Sequence, residues 1–384
     1  MSGSDLELSI VIPCLNETAT LGQAIGLARE AIARSGLRGE IVVADNGSDD
    51  GSQALAEGLG ARVVPVPRRG YGFALMEGCR QARGAYLIMG DADATYDFRE
   101  AVAFLEDLKA GADLVMGTRL RGTIHPGAMP FLHRYVGTPV LSRLIRGFFR
   151  VPISDCNCGL RAFTKAAFDR LQLVSGGMEF ASEMIIKAGI YGLKVTERPC
   201  SLLPDRRGKP PHLRRWRDGW RHLRFILLFA PHVIFEIPGW TMLLLGLGVT
   251  IPVLIGPFTL AGRLVDYHCL FYSIPLVLIG YQALWFERVE EYYVRFAGYL
   301  PEDMRRRKVS DFNLEAWLIG GGALLAAGAL LLAGIVIQWA VEGFGALGRM
   351  RLGATGMLLL IIGVQTVMNA MVISMMDIKV DRRG

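Results

Sequence analysis

The hydrophobic and polar residues are distributed in two different ways along the chain. Up to about Pro204, charged residues interrupt every short apolar run, as in a soluble domain. Short β-branched runs alternate there with segments of helical periodicity, which indicates an α/β fold with a mainly parallel sheet covered on both faces. The predicted strands are 9–12, 40–44, 62–66, 86–89 and 113–116, and the predicted helices are 20–35, 49–58, 72–82 and 98–109.

Four long apolar blocks lie beyond Phe225. They span 237–258, 269–286, 316–340 and 353–376, and each approaches or exceeds the ~18–20 residues that cross a bilayer core. One such block could be a buried helix of a soluble protein, but four in succession predict a transmembrane region. We therefore expect three parts, namely a domain over 1–212, a juxtamembrane helix over 213–232 and a transmembrane domain over 233–384.

The basic residues predict how this region is oriented. They are concentrated after the second block, at 305–308, and in the tail, at 379–383, whereas the opposite loops hold only Arg263, Arg349 and Arg351. Lys and Arg in short loops mark the cytoplasmic side. The first residues also have neither a basic region nor a long apolar run typical of a cleaved signal peptide. We expect a multi-pass protein of the cell inner membrane with its first domain and both termini in the cytoplasm.

Two further helices are predicted to lie in the membrane interface. In 213–232, at 100° per residue, one stripe carries Trp216, Trp220, Leu223 and Leu227 and another carries Arg214, Arg217, Arg221 and Arg224. Aromatic and arginine faces divided in this way are typical of interfacial helices, although a helix packed on the domain would also be amphipathic. Segment 131–150 has a similar mixture of apolar residues with Arg134, Arg143, Arg146 and Arg150.

Charge and cysteine content narrow the possible partners. The 384-residue chain has a net charge of +6, which alone would admit nucleic acid. Because its arginines flank the apolar blocks, attraction to the anionic headgroups of a lipid bilayer explains them better, and we expect no nucleic acid partner. The six cysteines include only the lone C-x-C of Cys156 and Cys158, which is not a zinc signature.

The sharpest chemical motif is Asp91-Ala92-Asp93, which directly follows the predicted strand 86–89. Two carboxylates so spaced at a strand end can hold Mg²⁺ or Mn²⁺ against a diphosphate, because these cations prefer oxygen ligands. A surface turn or helix cap would give the same spacing by chance. The motif gains weight from polar residues after the first two strands, since ligands of such sheets bind at the carboxyl ends of strands.

The second of these loops runs from Asp45 to Ser52. Asp45 could accept a hydrogen bond from a nucleotide base, and Gly47 would let a ligand approach the backbone closely. A turn followed by a helix N-cap at Ser48 or Asp49 is the alternative reading, and both can hold together.

Taken as a set, the motifs VIPCLNE, VADNGSDDGS, Gly70-Tyr71-Gly72 and GDADATY resemble family 2 glycosyltransferases of the GT-A, Rossmann-like fold. More narrowly, Gly117-Thr118-Arg119, DCNCGLRAF at 155–163 and Glu183 resemble the polyprenyl-phosphate glycosyltransferases, a group that includes dolichol-phosphate mannose synthase, dolichyl-phosphate glucosyltransferase and GtrB-type enzymes. The resemblance covers about residues 8–212.

The resemblance implies the following site residues. The nucleotide-sugar would be bound by Pro13, Leu15, Glu17, Asp45, Asn46, Gly70, Tyr71, Asp91, Ala92, Asp93 and Arg207. The metal would be held by Asp91 and Asp93, with Thr95 as a weak third ligand because mannose synthases often have Gln there. The acceptor phosphate would be met by Arg119, Arg134 and Lys209, and the catalytic set would be Asp91, Asp93, Arg119 and Arg134. Residues 206–209 could equally form a solvated loop.

The chemistry of the implied acceptor predicts the mechanism. A lipid phosphate, whose second pKa is near 6, already offers an anionic oxygen at neutral pH, so a general base would add little. We expect an in-line displacement with inversion, arginines that align the nucleophile and a metal that stabilises the leaving diphosphate. Asp155 is then expected to hold Arg161 or the metal shell rather than act as a base, and Glu183 is not assigned as a base either.

The resemblance favours a UDP-hexose, with glucose preferred over GDP-mannose, because GDADATY looks more like the glucosyl-type branch than the mannose synthases. The sequence names neither the sugar nor the length of the polyprenyl chain. A processive polysaccharide synthase is the first alternative, although His212 stands where the Q-x-x-R-W motif of those enzymes has Gln. A non-catalytic membrane scaffold or lipid-binding protein is the second. Small residues four apart, Gly322 with Ala326 and Ala323 with Ala327, suit close helix packing and leave open a homo-oligomer formed through this region.

Overall fold

The computed structural model describes residues 6–205, 215–296, 312–346 and 348–377. Arg207, Lys209, Arg214 and the basic clusters at 305–308 and 379–383 lie outside these ranges, as do the side chains of Trp216 and Arg217. The chain forms two compact units, the first ending at Phe229 and the second beginning at Ala230. The predicted juxtamembrane helix therefore belongs to the first unit.

The first unit is built on a seven-stranded sheet. Its strands are β1 (Leu8–Cys14), β2 (Gly39–Asp45), β3 (Arg62–Pro65), β4 (Tyr86–Met89), β5 (Leu114–Thr118), β6 (Arg161–Thr164) and β7 (Val195–Pro199). Their order is β3-β2-β1-β4-β6-β5-β7, and β6 is antiparallel to both of its neighbours while every other pair is parallel. β1 and β5 are buried almost throughout, as expected of strands covered by helices on both faces. The predicted mainly parallel α/β sheet is confirmed, and the sequence did not indicate β6 or β7.

Eight α-helices surround this sheet in the described part of the unit. They are α1 (Thr18–Ser35), α2 (Ser52–Gly58), α3 (Tyr71–Gln81), α4 (Val102–Lys109), α5 (Thr138–Phe149), α6 (Lys165–Leu171), α7 (Phe180–Ile190) and α8 (Arg215–Leu228). A 3₁₀ turn, Phe98–Ala101, leads into α4, and a π-helical turn, His133–Gly137, leads into α5.

The predicted cap of α2 was wrong. The helix begins at Ser52 rather than Asp49, its N-cap position is Gly51 at φ 87°, and neither Ser48 nor Asp49 caps it. Instead, the Asp50 carboxylate accepts from the Ser52 N–H at 3.0 Å. Ser48 and Asp49 hydrogen-bond to the loop that follows β1, so their polar groups are used between loops.

The two segments predicted to be interfacial each have a packed and an exposed face. In α5, Leu141, Ile145 and Phe149 are buried. Ahead of this helix, Phe131 is 75% exposed and Tyr135, in the π-helical turn, is 57% exposed. In α8, the buried face consists of His222, Phe225 and Ile226, and Trp220 on the predicted aromatic stripe is 61% exposed. The alternative of a helix packed on the domain therefore accounts for one face of α8, while Trp220 lies exposed on another.

The second unit contains the four predicted apolar helices. They are α9 (Ile237–Ile255), α10 (Leu270–Phe296), α11 (Leu314–Val341) and α12 (Met350–Asp377), and all four are long and apolar enough to span a membrane. A short hairpin between α9 and α10, β8 (Phe258–Leu260) with β9 (Arg263–Val265), was not anticipated.

Glycines set the close contacts between these helices. A Cβ on Gly246 of α9 would lie 2.7 Å from the Val277 nitrogen of α10, and one on Gly328 of α11 would lie 2.6 Å from the Gly356 carbonyl of α12. Such approach is typical of packed membrane helices. The small residues singled out from the sequence, Gly322, Ala323, Ala326 and Ala327, are instead exposed on α11.

Candidate active site

The candidate site lies at the edge of the sheet where β1, β2, β4 and β5 end, which we call the carboxyl edge. β6 begins at this edge because it is antiparallel, and its first residue, Arg161, is in register with Met89 of β4 and Met116 of β5. The segment before β6, residues 155–160, therefore lies beside the Asp91-Ala92-Asp93 motif. Topology thus brings together two motifs that are more than sixty residues apart in the chain.

Hydrogen bonds join the loops after β1 and β2. The Asn16 N–H donates to Ser48 Oγ and the Asp49 N–H donates to Asn16 Oδ1, each at 2.9 Å, and Asn16 adopts φ 58°. Asp50 accepts from Thr18 through both the N–H and the hydroxyl. Burial would raise the pKa of Asp50, but the hydrogen bonds from Ser52 and Thr18 outweigh it and hold this pKa well below its usual range. The paired loops form one rigid wall of the site.

Asp45 has one occupied and one unoccupied carboxylate oxygen. Its Oδ2 accepts from the Gly47 and Ser48 N–H groups at 3.0 and 3.1 Å and from Gln53 Nε2 at 2.6 Å. Its Oδ1 has no hydrogen-bond partner within the protein. Because the residue is only 1% exposed, solvent does not supply one either. A buried acceptor without a partner costs free energy, so this oxygen is a candidate acceptor for a ligand N–H.

Asn46, predicted to contact the nucleotide, is used within the protein. Its Nδ2 donates to the Arg68 carbonyl at 2.8 Å, and its Oδ1 accepts from the Gly70 N–H at 2.6 Å. Asn46 therefore connects β2 to the turn that begins α3. Pro13 on β1 and Leu15 just after this strand are half-buried, and Glu17 is buried.

Asp91 is held from two sides. The Tyr71 hydroxyl donates to Asp91 Oδ1 at 2.9 Å. Burial, together with the charge of Asp91, raises the pKa of Tyr71 well above its usual value, so the phenol remains a donor at neutral pH. On the other side, a Cβ on Gly159 would lie 2.6 Å from Asp91 Oδ2, and the Gly159 N–H donates to the Tyr96 hydroxyl at 2.9 Å.

Asp93 is oriented by Thr95 within the same loop. The N–H and hydroxyl of Thr95 donate to Asp93 Oδ1 at 3.0 and 2.6 Å. The intervening Ala94 adopts φ 56°, a conformation that costs a non-glycine residue about 1–2 kcal/mol. Ala92 and Ala94 are both buried. Thr95, predicted as a weak metal ligand, thus donates to Asp93, the residue predicted as a principal ligand, and the loop keeps this shape despite the backbone strain at Ala94.

The two carboxylates suit a metal ion whose coordination shell is completed by the phosphates of a substrate. Among the described residues, no group of three or more His, Cys, Asp or Glu side chains could hold an ion. Magnesium-type ions need no such group, since they are typically bound through one or two carboxylates, water and substrate phosphates. Asp91 and Asp93 therefore fit a metal–diphosphate complex rather than a resident metal centre.

Arg119 is paired with Asp155, which corrects the predicted partner. Its Nε and Nη2 each donate to Asp155 at 2.7 Å, and its N–H donates to the same carboxylate at 3.1 Å. Burial lowers the pKa of Arg119, but the charges of Tyr96 and Asp155 outweigh it and raise the pKa well above the usual value. Asp155 is itself fully buried.

Arg161, the expected partner of Asp155, bonds to backbone instead. Its guanidinium donates to the carbonyls of Cys158, Ala181 and Cys156 at 3.0, 2.7 and 3.1 Å. Burial lowers its pKa. The sequence favoured Arg161 because it lies six residues after Asp155, whereas Arg119 lies 36 residues before Asp155 and reaches it only through the fold.

Arg134 is not brought into these clusters. It is exposed in the π-helical turn, and its guanidinium lies 5.4 Å from the centroid of the Tyr135 ring. Sequence reasoning also missed Tyr96 and Gly159, which complete the surroundings of Asp91. The available signal was that both lie in motifs that carry the family resemblance, Tyr96 in GDADATY and Gly159 in DCNCGLRAF.

Comparison with known proteins agrees with this architecture. Residues 9–172 match the family described as Glycosyl transferase family 2, and residues 289–377 match the Glycosyltransferase family 2 C-terminal transmembrane region. The low-salt glycan biosynthesis hexosyltransferase Agl6 of Haloferax volcanii is 34% identical over 364 residues, which are 94% of this chain and 86% of Agl6. Glycosyltransferase AglJ of the same organism is 34% identical over 212 residues, 55% of this chain and 67% of AglJ.

Among solved structures, glucosyl-3-phosphoglycerate synthase from Mycobacterium tuberculosis, in complex with Mn²⁺, UDP and glucosyl-3-phosphoglycerate, aligns with 59% of this chain and 80% of its own. The identity is 20% and the TM-score 0.48. The sheet, the acidic pair at its carboxyl edge and the apolar helices define a GT-A glycosyltransferase that is an integral membrane protein. The chain belongs to glycosyltransferase family 2.

Proposed function

We propose that the enzyme transfers a hexose, with inversion, from a nucleotide-sugar to a polyprenyl phosphate at the cytoplasmic face of the membrane. The observation that carries the proposal is the presence at one sheet edge of an oriented acidic motif, Asp91 and Asp93, and of an arginine, Arg119, whose guanidinium is fixed by Asp155. Agl6, which is 34% identical to this chain, is a hexosyltransferase, and this supports a hexose as the transferred sugar. A UDP-sugar is the proposed donor, and glucose is the favoured sugar.

The donor would lie along the carboxyl edge between β2 and β4. Asp45 Oδ1, the buried oxygen without a partner, would accept the N–H of a uracil base. Asp91 and Asp93 would hold the Mg²⁺ or Mn²⁺ that accompanies the diphosphate. When bound, this ion supplies positive charge that stabilises the departing nucleoside diphosphate.

The acceptor would meet Arg119, with Arg134 and Lys209 as further proposed contacts. Asp155 occupies Nε and Nη2 of Arg119, which fixes the plane of the guanidinium and leaves Nη1 outside the pair. The phosphate oxygen forms a bond to the anomeric carbon as the bond from that carbon to the diphosphate breaks. The attacking oxygen is already anionic, so no proton needs to be removed.

The state of the buried carboxylates supports a reaction without a general base. Asp155 is engaged by Arg119, and Glu183 is engaged by two backbone N–H groups and by Lys187. The exposed apolar residues of the turn before α5, with Arg134, Arg143 and Arg146 on the same segment, suit the headgroup region where a polyprenyl phosphate resides.

The test uses the purified full chain with Mn²⁺ or Mg²⁺, undecaprenyl phosphate and a panel of radiolabelled UDP- and GDP-sugars. Label is followed into the organic phase, and Asp93→Ala and chelator-treated enzyme serve as controls. We expect metal-dependent transfer from a UDP-hexose that the variant abolishes. Nucleotide-sugar binding without any lipid-linked product would refute the proposed acceptor, and transfer from GDP-mannose alone would refute the proposed donor.

A further inference from the structure

A buried ion pair on α7 has no place in the proposed reaction. Glu183 Oε1 lies 2.7 Å from Lys187 Nζ, and both side chains are fully buried. Burying two charges carries a desolvation cost that attraction repays only when other hydrogen bonds satisfy the charged groups. The partners of this pair therefore indicate what it does.

Three backbone partners of the pair, Gln172, Val174 and Ser175, lie in one stretch of chain, residues 172–177, which we call the 172–177 segment. Glu183 accepts from the Val174 N–H at 3.0 Å and from the Ser175 N–H at 2.8 Å. Lys187 Nζ donates to the Gln172 carbonyl at 2.7 Å. Gln172 itself adopts φ 43°, which a non-glycine residue rarely does. The ion pair thus determines the backbone path of the segment.

The 172–177 segment in turn contacts the Gly70-Tyr71-Gly72 turn. The Gly176 carbonyl accepts from the Gly72 N–H at 2.9 Å. A Cβ on Gly70 would lie 2.2 Å from the Gly176 carbonyl oxygen, and one on Gly72 would lie 2.1 Å from that of Ser175. The backbone of the 172–177 segment lies directly against the backbone of the turn, without room for a side chain between them. A displacement of the segment would therefore displace the turn.

The turn carries Tyr71, whose hydroxyl donates to Asp91. We infer that Glu183, with Lys187, is a positioning residue for Asp91, acting through the 172–177 segment and Tyr71. Residues that hydrogen-bond to a metal ligand affect the affinity of the site for the metal. This role therefore rests on the proposed function of Asp91 as a metal and diphosphate ligand. Glu183 itself touches neither metal nor donor in this assignment.

The test is a double-mutant cycle with Glu183→Gln and Tyr71→Phe, read by Mn²⁺ affinity in the presence of UDP and by donor and acceptor KM. We expect each single variant to weaken Mn²⁺ binding by roughly ten- to a hundredfold and the double variant to be no weaker than the poorer single one. Multiplied effects in the double variant, or an unchanged Mn²⁺ affinity in Glu183→Gln, would overturn the inference. The matched control is Asp169→Asn, which changes an i,i+4 ion pair on the exposed face of α6.

A readout independent of the reaction separates the two proposals. In protein labelled with 3-fluorotyrosine, the ¹⁹F resonance of Tyr71, assigned by its loss in Tyr71→Phe, should move in Glu183→Gln and stay in place in Asp169→Asn. A resonance unaffected by Glu183→Gln refutes the positioning role. A shifted resonance in a protein that binds neither Mn²⁺ nor UDP refutes the proposed function of Asp91 and retains the mechanical link.

Glu183→Gln leaves Lys187 buried without its counterion and could prevent folding. Gly72→Ala perturbs the same contact from the other side, since its Cβ would meet the Ser175 carbonyl, while the ion pair stays intact. It should shift the Tyr71 resonance and weaken Mn²⁺ binding in the same direction, and a wild-type resonance in Gly72→Ala would contradict the link.

Discussion

A methyl group at Gly159 should disable the acidic motif without unfolding the protein. The added Cβ would lie 2.6 Å from Asp91 Oδ2 and 3.0 Å from Tyr96 Cε2, and the first of these is about 0.8 Å short of ordinary contact. Gly159 does not have a positive φ, so alanine meets no backbone strain there. The conflict is therefore confined to side chains, and the Asp91 carboxylate is the group that can move.

The expected loss of Mn²⁺ and nucleotide-sugar affinity can be worked out from the hydrogen bond that Asp91 would lose. Rotation of its carboxylate breaks the 2.9 Å hydrogen bond from Tyr71, and a hydrogen bond to a charged group is worth about 1.5–3 kcal/mol. Since about 1.4 kcal/mol is a factor of ten, Gly159→Ala should weaken Mn²⁺ and nucleotide-sugar binding by roughly ten- to a hundredfold. The overpacking itself should cost about 1–3 kcal/mol of stability.

Isothermal titration of the detergent-solubilised full chain with Mn²⁺ and UDP measures this effect, and the rate of sugar transfer gives its catalytic counterpart. Gly26→Ala in α1 is the control, since its Cβ would meet nothing within 4 Å and alanine should stabilise the helix by about 0.5–1 kcal/mol. Wild-type affinity in a folded Gly159→Ala protein would refute the idea that the space beside Asp91 is needed.

Three further outcomes are expected. Asp45→Asn should raise the donor KM by roughly ten- to a hundredfold, with little change in kcat, because its amide oxygen would face the three internal donors and its NH₂ would face the base; steady-state kinetics with varied UDP-sugar test this. Thr95→Val should weaken Mn²⁺ binding by roughly tenfold or more through loss of the Asp93 hydrogen bond, while Thr95→Ser should retain it. The pKa of Asp50 is lowered in the fold, so its stabilisation is present above about pH 4 and is lost as the pH falls towards the folded pKa; urea midpoints at pH 5 and pH 3 should differ less in Asp50→Asn than in the wild type.

The architecture could be predicted because periodicity encodes it. The buried β-branched runs of β1, β2 and β5 and the four apolar helices differ clearly from their surroundings, and most of their ends were predicted to within a few residues. The exception is α10, which continues ten residues beyond the predicted end at 286 because its last turns are polar. The strand-end location of Asp45 and Asp91 followed from the same pattern, because parallel strands gather their carboxyl ends at one edge.

Which partner each polar group takes was less predictable, because partners are distant in the chain. Asp155 and Arg119 are 36 residues apart, and Tyr71 and Asp91 are 20 apart, so no local pattern links them. β6 was missed because it has only four residues and pairs with β4 and β5, which lie far before it in the chain. The α2 cap was misassigned because Ser48 and Asp49 bond to the β1 loop, a competition that only tertiary structure decides.

The pairing of Arg119 with Asp155 suggests how two phosphate groups could be kept apart at one sheet edge. An unpaired buried guanidinium would attract the donor diphosphate as strongly as an acceptor phosphate. Asp155 neutralises much of that charge and fixes its direction, so Arg119 can favour a group that approaches along its remaining N–H donors. Asp91 and Asp93 are instead oriented by the hydroxyls of Tyr71 and Thr95, neutral donors that leave the carboxylate charge in place for a cation. In our proposal, the donor is selected through the metal ion that the negative charge of Asp91 and Asp93 attracts. The acceptor phosphate is selected by Arg119, whose positive charge Asp155 partly neutralises and orients.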